Sequence, residues 1–260
     1  MKVVILAGGF GTRLAEETSV RPKPMIEVGD KPILWHIMKL YSHHGFNDFV
    51  ILLGYKGFVI KEYFSNYLLH QSSVSINLKD GSSTILNHVA EPWTVTLLET
   101  GAETMTGGRI KRAEAFLRDE PFLLTYGDGV GDIDISGLVE FHRSHGKAVT
   151  MTSTQPDGRF GAVHIGDDEK VTHFTEKPRG DGGWINAGFF VCQPSIFTYL
   201  TAGDATVLEQ EPLRNLAQND ELYAYKHRGF WRPMDTLRDK QILEAHWRTG
   251  AAPWKVWKDV

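Results

Sequence analysis

Long apolar runs without alternation constrain this chain most. "KVVILA" (2–7), "DFVILLG" (48–54) and "PFLLTYGDG" (121–129) each read as a strand buried on both faces. Stretches of helical period separate them. In "KPILWHIMKLYSHH" (31–44), Ile33, Leu34, Ile37, Met38 and Tyr41 share one face, Pro32 suits a first turn and Gly45 a stop. Further helices are predicted over 57–69, from near Thr104 and over 136–146, with a fourth strand over 148–154. Residues 73–100 read as peripheral strands or a lid. Beyond residue 160, "GAVHI", "VTHFTEK" and "WINAGFFVC" alternate like mixed or antiparallel strands, followed by helices near 195–200, 206–219 and 236–248. Strands alternating with helices predict an α/β fold built on a parallel sheet. No repeat, linker or low-complexity stretch interrupts the 260 residues, so one domain is expected.

Composition narrows the function classes. A net charge of −4 gives no broad attraction for nucleic acid or acidic membranes, so an anionic ligand must be met by local cations or a metal. The single cysteine, Cys192, cannot form an internal disulfide and sits in the apolar run "NAGFFVC", which suits a buried, inert thiol in a reducing compartment. "MKVVILAGG" is too short for a signal sequence, and no stretch approaches the roughly 20 apolar residues of a membrane helix. A cytoplasmic location is the expectation. His142 and His145, and His43 and His44, lack a third ligand at zinc-like spacing. No G-x-S-x-G elbow occurs.

The first strand runs into "GGFGTRLAEETSVRPKPM" (8–25). Glycines at 8, 9 and 11 allow main-chain N–H groups to approach phosphate oxygens. A dinucleotide fingerprint read from Gly9 would need Gly or Ala at 14, where Leu14 stands, and no P-loop pattern exists. Pro22 and Pro24 disfavour a helix and stiffen the backbone on both sides of Lys23. Such restriction suits an ammonium that must meet charge at a phosphorus centre. Asp128, between glycines at a strand end, stands where parallel sheets place ligand chemistry, and is equally a turn residue. Asp235 could likewise cap the helix that follows it.

"LAGGFGTRL…RPKPM" resembles the signature of the sugar-1-phosphate nucleotidylyltransferases, and the resemblance extends over essentially the whole chain through "KPILWHIMKLYS", "GYKGFVIKEYF", "EPWTVTLLETG", "MTGGRIKR", "TYGDG" and "FWRPMDTLRDK". It implies a Rossmann-like, mixed and mainly parallel sheet flanked by helices, of the nucleotide-diphospho-sugar transferase type. Residues 1–130 would mainly bind nucleotide and 131–260 mainly sugar phosphate. The implied reaction joins CTP and α-D-glucose 1-phosphate into CDP-glucose and pyrophosphate. The alternatives are a thymidylyl- or uridylyltransferase on the same sugar phosphate, or a regulatory module that only binds a nucleotide sugar. The resemblance also implies a homo-oligomer and a supply of CDP-glucose for deoxysugars of bacterial surface polysaccharide.

The same resemblance distributes roles. Leu6, Ala7, Gly8, Gly9, Phe10, Gly11, Thr12, Arg13, Thr104 and Arg109 would form the nucleotide site, with Arg13 and Lys23 acting on its phosphates. Asp128 and Asp235 would hold Mg²⁺, a hard cation suited to few protein carboxylates and several substrate oxygens. Relatives often carry Asp-x-Gly-Thr at the second position, whereas Thr236 follows Asp235 directly here, which leaves Asp239 as the alternative. Gly161, Glu176, Lys177 and Asn186 would meet the sugar phosphate. For the base, relatives that use thymidine or uridine nucleotides place Gly-Leu-Ala-Gln or similar where this chain has "TGGR" (106–109). Cytosine offers acceptors at O2 and N3, and Arg109 is a fork of donors without an acceptor.

Overall fold

The computed structural model describes residues 1–11, 14–87, 90–156, 162–167, 169–176 and 183–258. At its centre lie seven strands: β1 (Val3–Ala7), β2 (Asp48–Leu53), β3 (Thr94–Glu99), β4 (Phe122–Tyr126), β5 (Val149–Thr154), β6 (Ile185–Cys192) and β7 (Leu222–His227). They lie side by side in the order β7-β5-β6-β4-β1-β2-β3. β1 is parallel to β2 and β4, β2 to β3, and β5 to β7. β6 runs against both its neighbours, β4 and β5. The sheet is therefore mixed and mainly parallel, as the alternation of elements predicts.

Both faces of the sheet are covered at its centre, which is why β1, β2 and β4 are largely apolar. Val3, Ile5 and Ala7 of β1 join one core cluster with helix α1 (Ile33–His43), while Val4 and Leu6 join the other. That second cluster includes Ile110 of helix α2 (Thr106–Arg112) and Phe197, Leu208 and Leu216. Helix α3 (Ile135–His145) and helix α4 (Leu237–Arg248) return to the first face through Leu138 and Leu243. Cys192, at the end of β6, is fully buried, and burial pushes its thiol pKa up. Among the described residues no helix is long and apolar enough to cross a membrane.

Several elements differ from the pattern read in the sequence. Thr94–Glu99 is an edge strand of the central sheet, although 73–100 reads as peripheral; only Val74–Ile76 and Ser83–Ile85 form a separate hairpin there. The helix expected over 57–69 breaks into Gly57–Ser65 and Tyr67–Gln71 around Asn66, whose side chain donates to the Glu62 carbonyl at 2.9 Å. The helix expected over 206–219 begins only at Glu211, because Pro212 belongs in a first turn. β7 has no apolar run to mark it: only His227 at its end is buried, and the rest is half-exposed or exposed. The strand over 121–129 ends at Tyr126, and a turn carries Asp128 before Gly129–Gly131 pairs with Trp231–Pro233.

The C-terminal segment packs back onto α1. Trp254 is 1% exposed and, with Trp247 and Trp257, surrounds the buried His36 ring. His36 Nε2 lies 2.8 Å from the Val28 carbonyl and must donate to it, while Trp254 Nε1 donates to Nδ1 at 3.4 Å. Both ring nitrogens are thus assigned to the neutral form, and a second ring proton would face the indole N–H. Burial lowers the His36 pKa from its ordinary value to about 4, and the hydrogen bonds to the main chain oppose this only in part. The folded value is depressed, so the stability is fully present above the ordinary histidine pKa and is lost as pH falls towards about 4. Chemical denaturation near pH 7 and near pH 5 should show His36 removing about 2 kcal/mol of unfolding free energy at the lower pH. A profile that stays flat over this range would mean that the imidazole takes its proton without leaving the tryptophan cage.

Candidate active site

A parallel sheet delivers its loops to one edge, and here four strand ends meet there. β1 runs into Gly8, β2 into Gly54, β3 into Thr100 and Gly101, and β4 into Gly127 and Asp128. Because β6 is reversed, its start lies at the same edge, with Asn186 opposite Ser153. Between these loops opens a cavity of about 370 Å³. Its lining includes Leu6, Ala7, Gly8, Gly9, Phe10, Gly11, Lys23, Thr104, Arg109, Asp128 and Asp235. Pro24, Ala102, Glu103, Met105, Thr106, Tyr126 and Gly127 complete it.

At one end a single ammonium joins two carboxylates. Lys23 sits in a short 3-10 turn (Lys23–Met25) entered from the extended Pro22, and Pro24 beside it is buried. Its Nζ donates to Asp128 Oδ2 at 2.6 Å and to Asp235 Oδ1 at 2.5 Å. The lysine side chain is 12% exposed and the two acids 29% and 33%. Burial works against the charged ammonium, but the attraction and hydrogen bonds of the two acids outweigh it, so the Lys23 pKa is raised. Asp235 reaches Asp128 because Pro233 pairs with Gly129 and the Met234 N–H donates to the Asp128 carbonyl at 2.8 Å.

Asp239 stands elsewhere. Its carboxylate accepts from the Thr236 N–H at 3.0 Å and from Arg232 at 3.1 Å, and it closes a capping box at the start of α4. Thr236, not Asp235, is the N-cap of that helix. Two carboxylates aimed at one point already occupied by a positive charge make a donor set suited to a cation. Among the described residues no third Asp, Glu, His or Cys joins them, so a metal here would draw its remaining ligands from substrate or water.

The other end is built around Arg109, which is 4% exposed. Its Nη1 donates to the carbonyls of Leu53 at 3.0 Å and Gly101 at 2.6 Å and to Thr100 Oγ1 at 2.8 Å. Its Nη2 donates to the carbonyls of Gly8 at 3.0 Å and Ala102 at 3.2 Å. These acceptors are uncharged. Burial and the neighbouring Arg112 lower the guanidinium pKa, while Asp204 opposes them. The sequence reading presents Arg109 as a donor fork facing a base. The structure places it in the pocket wall with both terminal nitrogens already bracing the loops after β1, β2 and β3. Two glycines follow from it. A Cβ at Gly8 would lie 2.3 Å from the guanidinium carbon, and one at Gly54 2.4 Å from Nη1. Gly11 is needed for its φ of +64°, and Gly9 faces open space.

The sugar-side residues are only partly placed. Asn186 is not in the lining, but its Nδ2 donates to the Tyr126 hydroxyl at 3.3 Å. Tyr126 in turn donates to Glu209 Oε1 at 2.5 Å, and the Thr106 hydroxyl donates to Glu209 Oε2 at 2.7 Å. Glu176 is exposed at the end of a separate hairpin (Ala162–Ile165 with Val171–Thr175) and does not line the cavity. Thr12, Arg13, Gly161 and Lys177 lie outside the described residues. Tyr126 and Glu209 were missed in the sequence. Tyr126 carried a usable signal, immediately before "GDG"; Glu209 carried none, being 83 residues from its partner.

The nucleotidyl transferase family model matches residues 2–260. The chain is 58% identical over 259 residues to a glucose-1-phosphate cytidylyltransferase of Salmonella typhimurium, covering 99% of this chain and all of that one. It is 45% identical over 257 residues to a Bacillus subtilis protein named "Probable glucose-1-phosphate cytidylyltransferase", again covering 99% and 100%. Among solved structures, UDP-glucose pyrophosphorylase complexed with UDP-glucose superposes with a TM-score of 0.68 at 16% identity, over 96% of this chain and 98% of that one. HddC from Yersinia pseudotuberculosis gives 0.67 at 22% identity, over 95% and 99%. At such identities the likeness concerns the fold.

The bracing role of Arg109 is measurable. Arg109→Ala removes the five hydrogen bonds by which a buried guanidinium ties the loops together and should cost about 2 kcal/mol or more in denaturant unfolding. Gly8→Ala should destabilise by collision with the guanidinium, and the penalty should shrink by about 1 kcal/mol or more in the Arg109→Ala background. Strict additivity of the two changes would mean that the guanidinium does not occupy the space beside Gly8.

Proposed function

Since the chain belongs to the nucleotidyl transferase family, we propose that it transfers the cytidylyl group of CTP to α-D-glucose 1-phosphate, giving CDP-glucose and pyrophosphate. The observation that carries the chemistry is the Lys23–Asp128–Asp235 cluster at one end of the glycine-loop cavity. The base and the sugar rest on the full-length similarity to the glucose-1-phosphate cytidylyltransferase of Salmonella typhimurium. A thymidylyl- or uridylyltransferase reading has no comparable support, because the solved structures cited above are under 25% identical.

In this reading a phosphate oxygen of glucose 1-phosphate attacks the α-phosphorus in line. The bond from that phosphorus to the bridging oxygen breaks, and pyrophosphate leaves with the electron pair. The nucleophile is already ionised, so no side chain need remove a proton. What the chain supplies is position and charge. Gly8, Gly9 and Gly11 bring main-chain N–H groups towards the phosphates, and Lys23 meets the charge at the reacting centre. Arg13 steadies the departing phosphates and Lys177 the incoming one, with Thr12 beside the nucleotide. Gly161, Glu176 and Asn186 serve the sugar, Asn186 through its link to Tyr126. Mg²⁺, held by Asp128 and Asp235, would neutralise charge on the phosphates of both substrates. Thr104 and Arg109 stand at the base end, where the uncancelled positive charge of Arg109, whose terminal nitrogens are engaged by the loops, favours a base edge rich in acceptors such as that of cytosine.

The proposal extends to a single domain, mainly nucleotide-binding over 1–130 and mainly sugar-binding over 131–260, in a homo-oligomer located in the cytoplasm. Apolar side chains exposed on the Val74–Ile76/Ser83–Ile85 hairpin and its flanks, Ile76, Leu78 and Leu86, support association between subunits. CDP-glucose made here would feed deoxysugars of a bacterial surface polysaccharide.

Pyrophosphate release with glucose 1-phosphate and Mg²⁺ should be well above background with CTP and far lower with UTP, dTTP, ATP and GTP. Preference for another nucleotide would keep the mechanism and overturn the base assignment. Lys23→Ala and Asp128→Asn should each lose about 10²–10³ in rate with the fold intact. Near-full turnover in either variant would remove that residue from the reacting centre.

A further inference from the structure

The two acids that fit a metal are not idle in the fold. They are both held by one ammonium, at 2.6 and 2.5 Å. Lys23 cannot easily wander from them: Pro22 and Pro24 flank it, its 3-10 turn is closed by the Ile26 N–H donating to the Lys23 carbonyl, and its stem passes beside Gly11, where a Cβ would come within 3.3 Å of the Lys23 Cβ. The acids are fixed in turn, one on each side of the short ladder between Gly129–Gly131 and Trp231–Pro233. A divalent cation bound by both carboxylates would stand beside the ammonium, which engages one oxygen of each, and the two positive charges repel. The ammonium has somewhere else to go, because the lysine, Gly8, Gly9 and Gly11 line the same cavity.

We propose that Lys23 is the resident counter-ion of the Asp128–Asp235 pair, and that a divalent cation gains the two carboxylates only when a nucleotide polyphosphate draws the ammonium away. One side chain then has two positions, on the acids before the nucleotide arrives and on the phosphates afterwards. Nucleotide and metal bind cooperatively as a result, each strengthening the other by the same factor. The exchange keeps a cation at the acids at every stage: the ammonium leaves as a stronger cation enters. It also makes Lys23 a positioning residue for the metal in addition to its role at the phosphates. This inference rests on the nucleotide reading of the pocket given above, and the experiment separates the two.

The test is Mn²⁺ binding to the full chain without nucleotide, read as loss of the free Mn²⁺ electron paramagnetic resonance signal. Lys23→Met should bind one Mn²⁺ at least tenfold more tightly than the unchanged protein, and adding Asp128→Asn to it should abolish the gain. Lys23→Gln keeps a polar side chain without the charge and should show the same gain; it replaces the Met variant if thermal unfolding shows that one to be loosened. Equal or weaker Mn²⁺ binding in the folded variant would overturn the exchange, as would a gain that survives Asp128→Asn. Tighter Mn²⁺ binding by Lys23→Met, in a protein that releases no pyrophosphate with any triphosphate, would keep the exchange and discard the reaction. Pyrophosphate release with CTP and unchanged Mn²⁺ binding would do the reverse.

Discussion

Two carboxylates held close together and partly out of water repel each other unless a cation stands between them. In this chain the requirement is met by Lys23, and much of the architecture around the cavity follows from it. The acids are separated by more than a hundred residues in sequence. They meet because the turn after β4 pairs with Trp231–Pro233, which brings the later part of the chain back across the mouth of the earlier part. The prolines beside Lys23 set where the ammonium is delivered. An unrestrained lysine would lose more conformational entropy in reaching both carboxylates at once.

The guanidinium in the lining of the same cavity is met differently. Arg109 is held by carbonyl and hydroxyl oxygens, so its charge is solvated and not cancelled. The nearby Asp204 is engaged by Arg112 instead, at 2.5 Å. Among the described residues the two ends of one cavity thus hold their cations differently: an ammonium shared by two acids at one, a buried guanidinium among neutral acceptors at the other.

Much of this was legible in the sequence where a local pattern carried it. The apolar runs revealed β1, β2 and β4 because parallel strands buried on both faces leave no room for alternation. The glycine loop, Lys23 between prolines and the two acids marked the lining of the cavity. What escaped was set by distant partners. β7 is half-exposed and takes its place only by pairing with β5, and Thr94–Glu99 becomes part of the main sheet only through β2. Gly8 illustrates the limit well. The sequence reads it as a phosphate-approaching glycine; that a Cβ there would also collide with Arg109, a hundred residues away, has no local signature. The choice between Asp235 and Asp239 was also out of reach of spacing alone, since it depends on which of them the capping box claims.

The reversed strand β6 has a consequence for how the site holds together. In an all-parallel sheet every strand would present its end at the cavity edge; β6 presents its start, and Asn186 with it. From there a chain of hydrogen bonds runs from Asn186 to the Tyr126 hydroxyl, on to Glu209 and back to Thr106 at the first turn of α2. α2 is the helix that carries Arg109. The side expected to meet the sugar is therefore tied to the wall expected to meet the base through one carboxylate, and that carboxylate lies outside every motif. Burial and the neighbouring Glu209 charge both raise the Tyr126 pKa, so its hydroxyl keeps its proton and remains the donor in this chain. Displacing either end of the network means breaking a bond at Tyr126 or at Glu209, which makes the spacing between the two binding regions a property of the fold and not of either substrate.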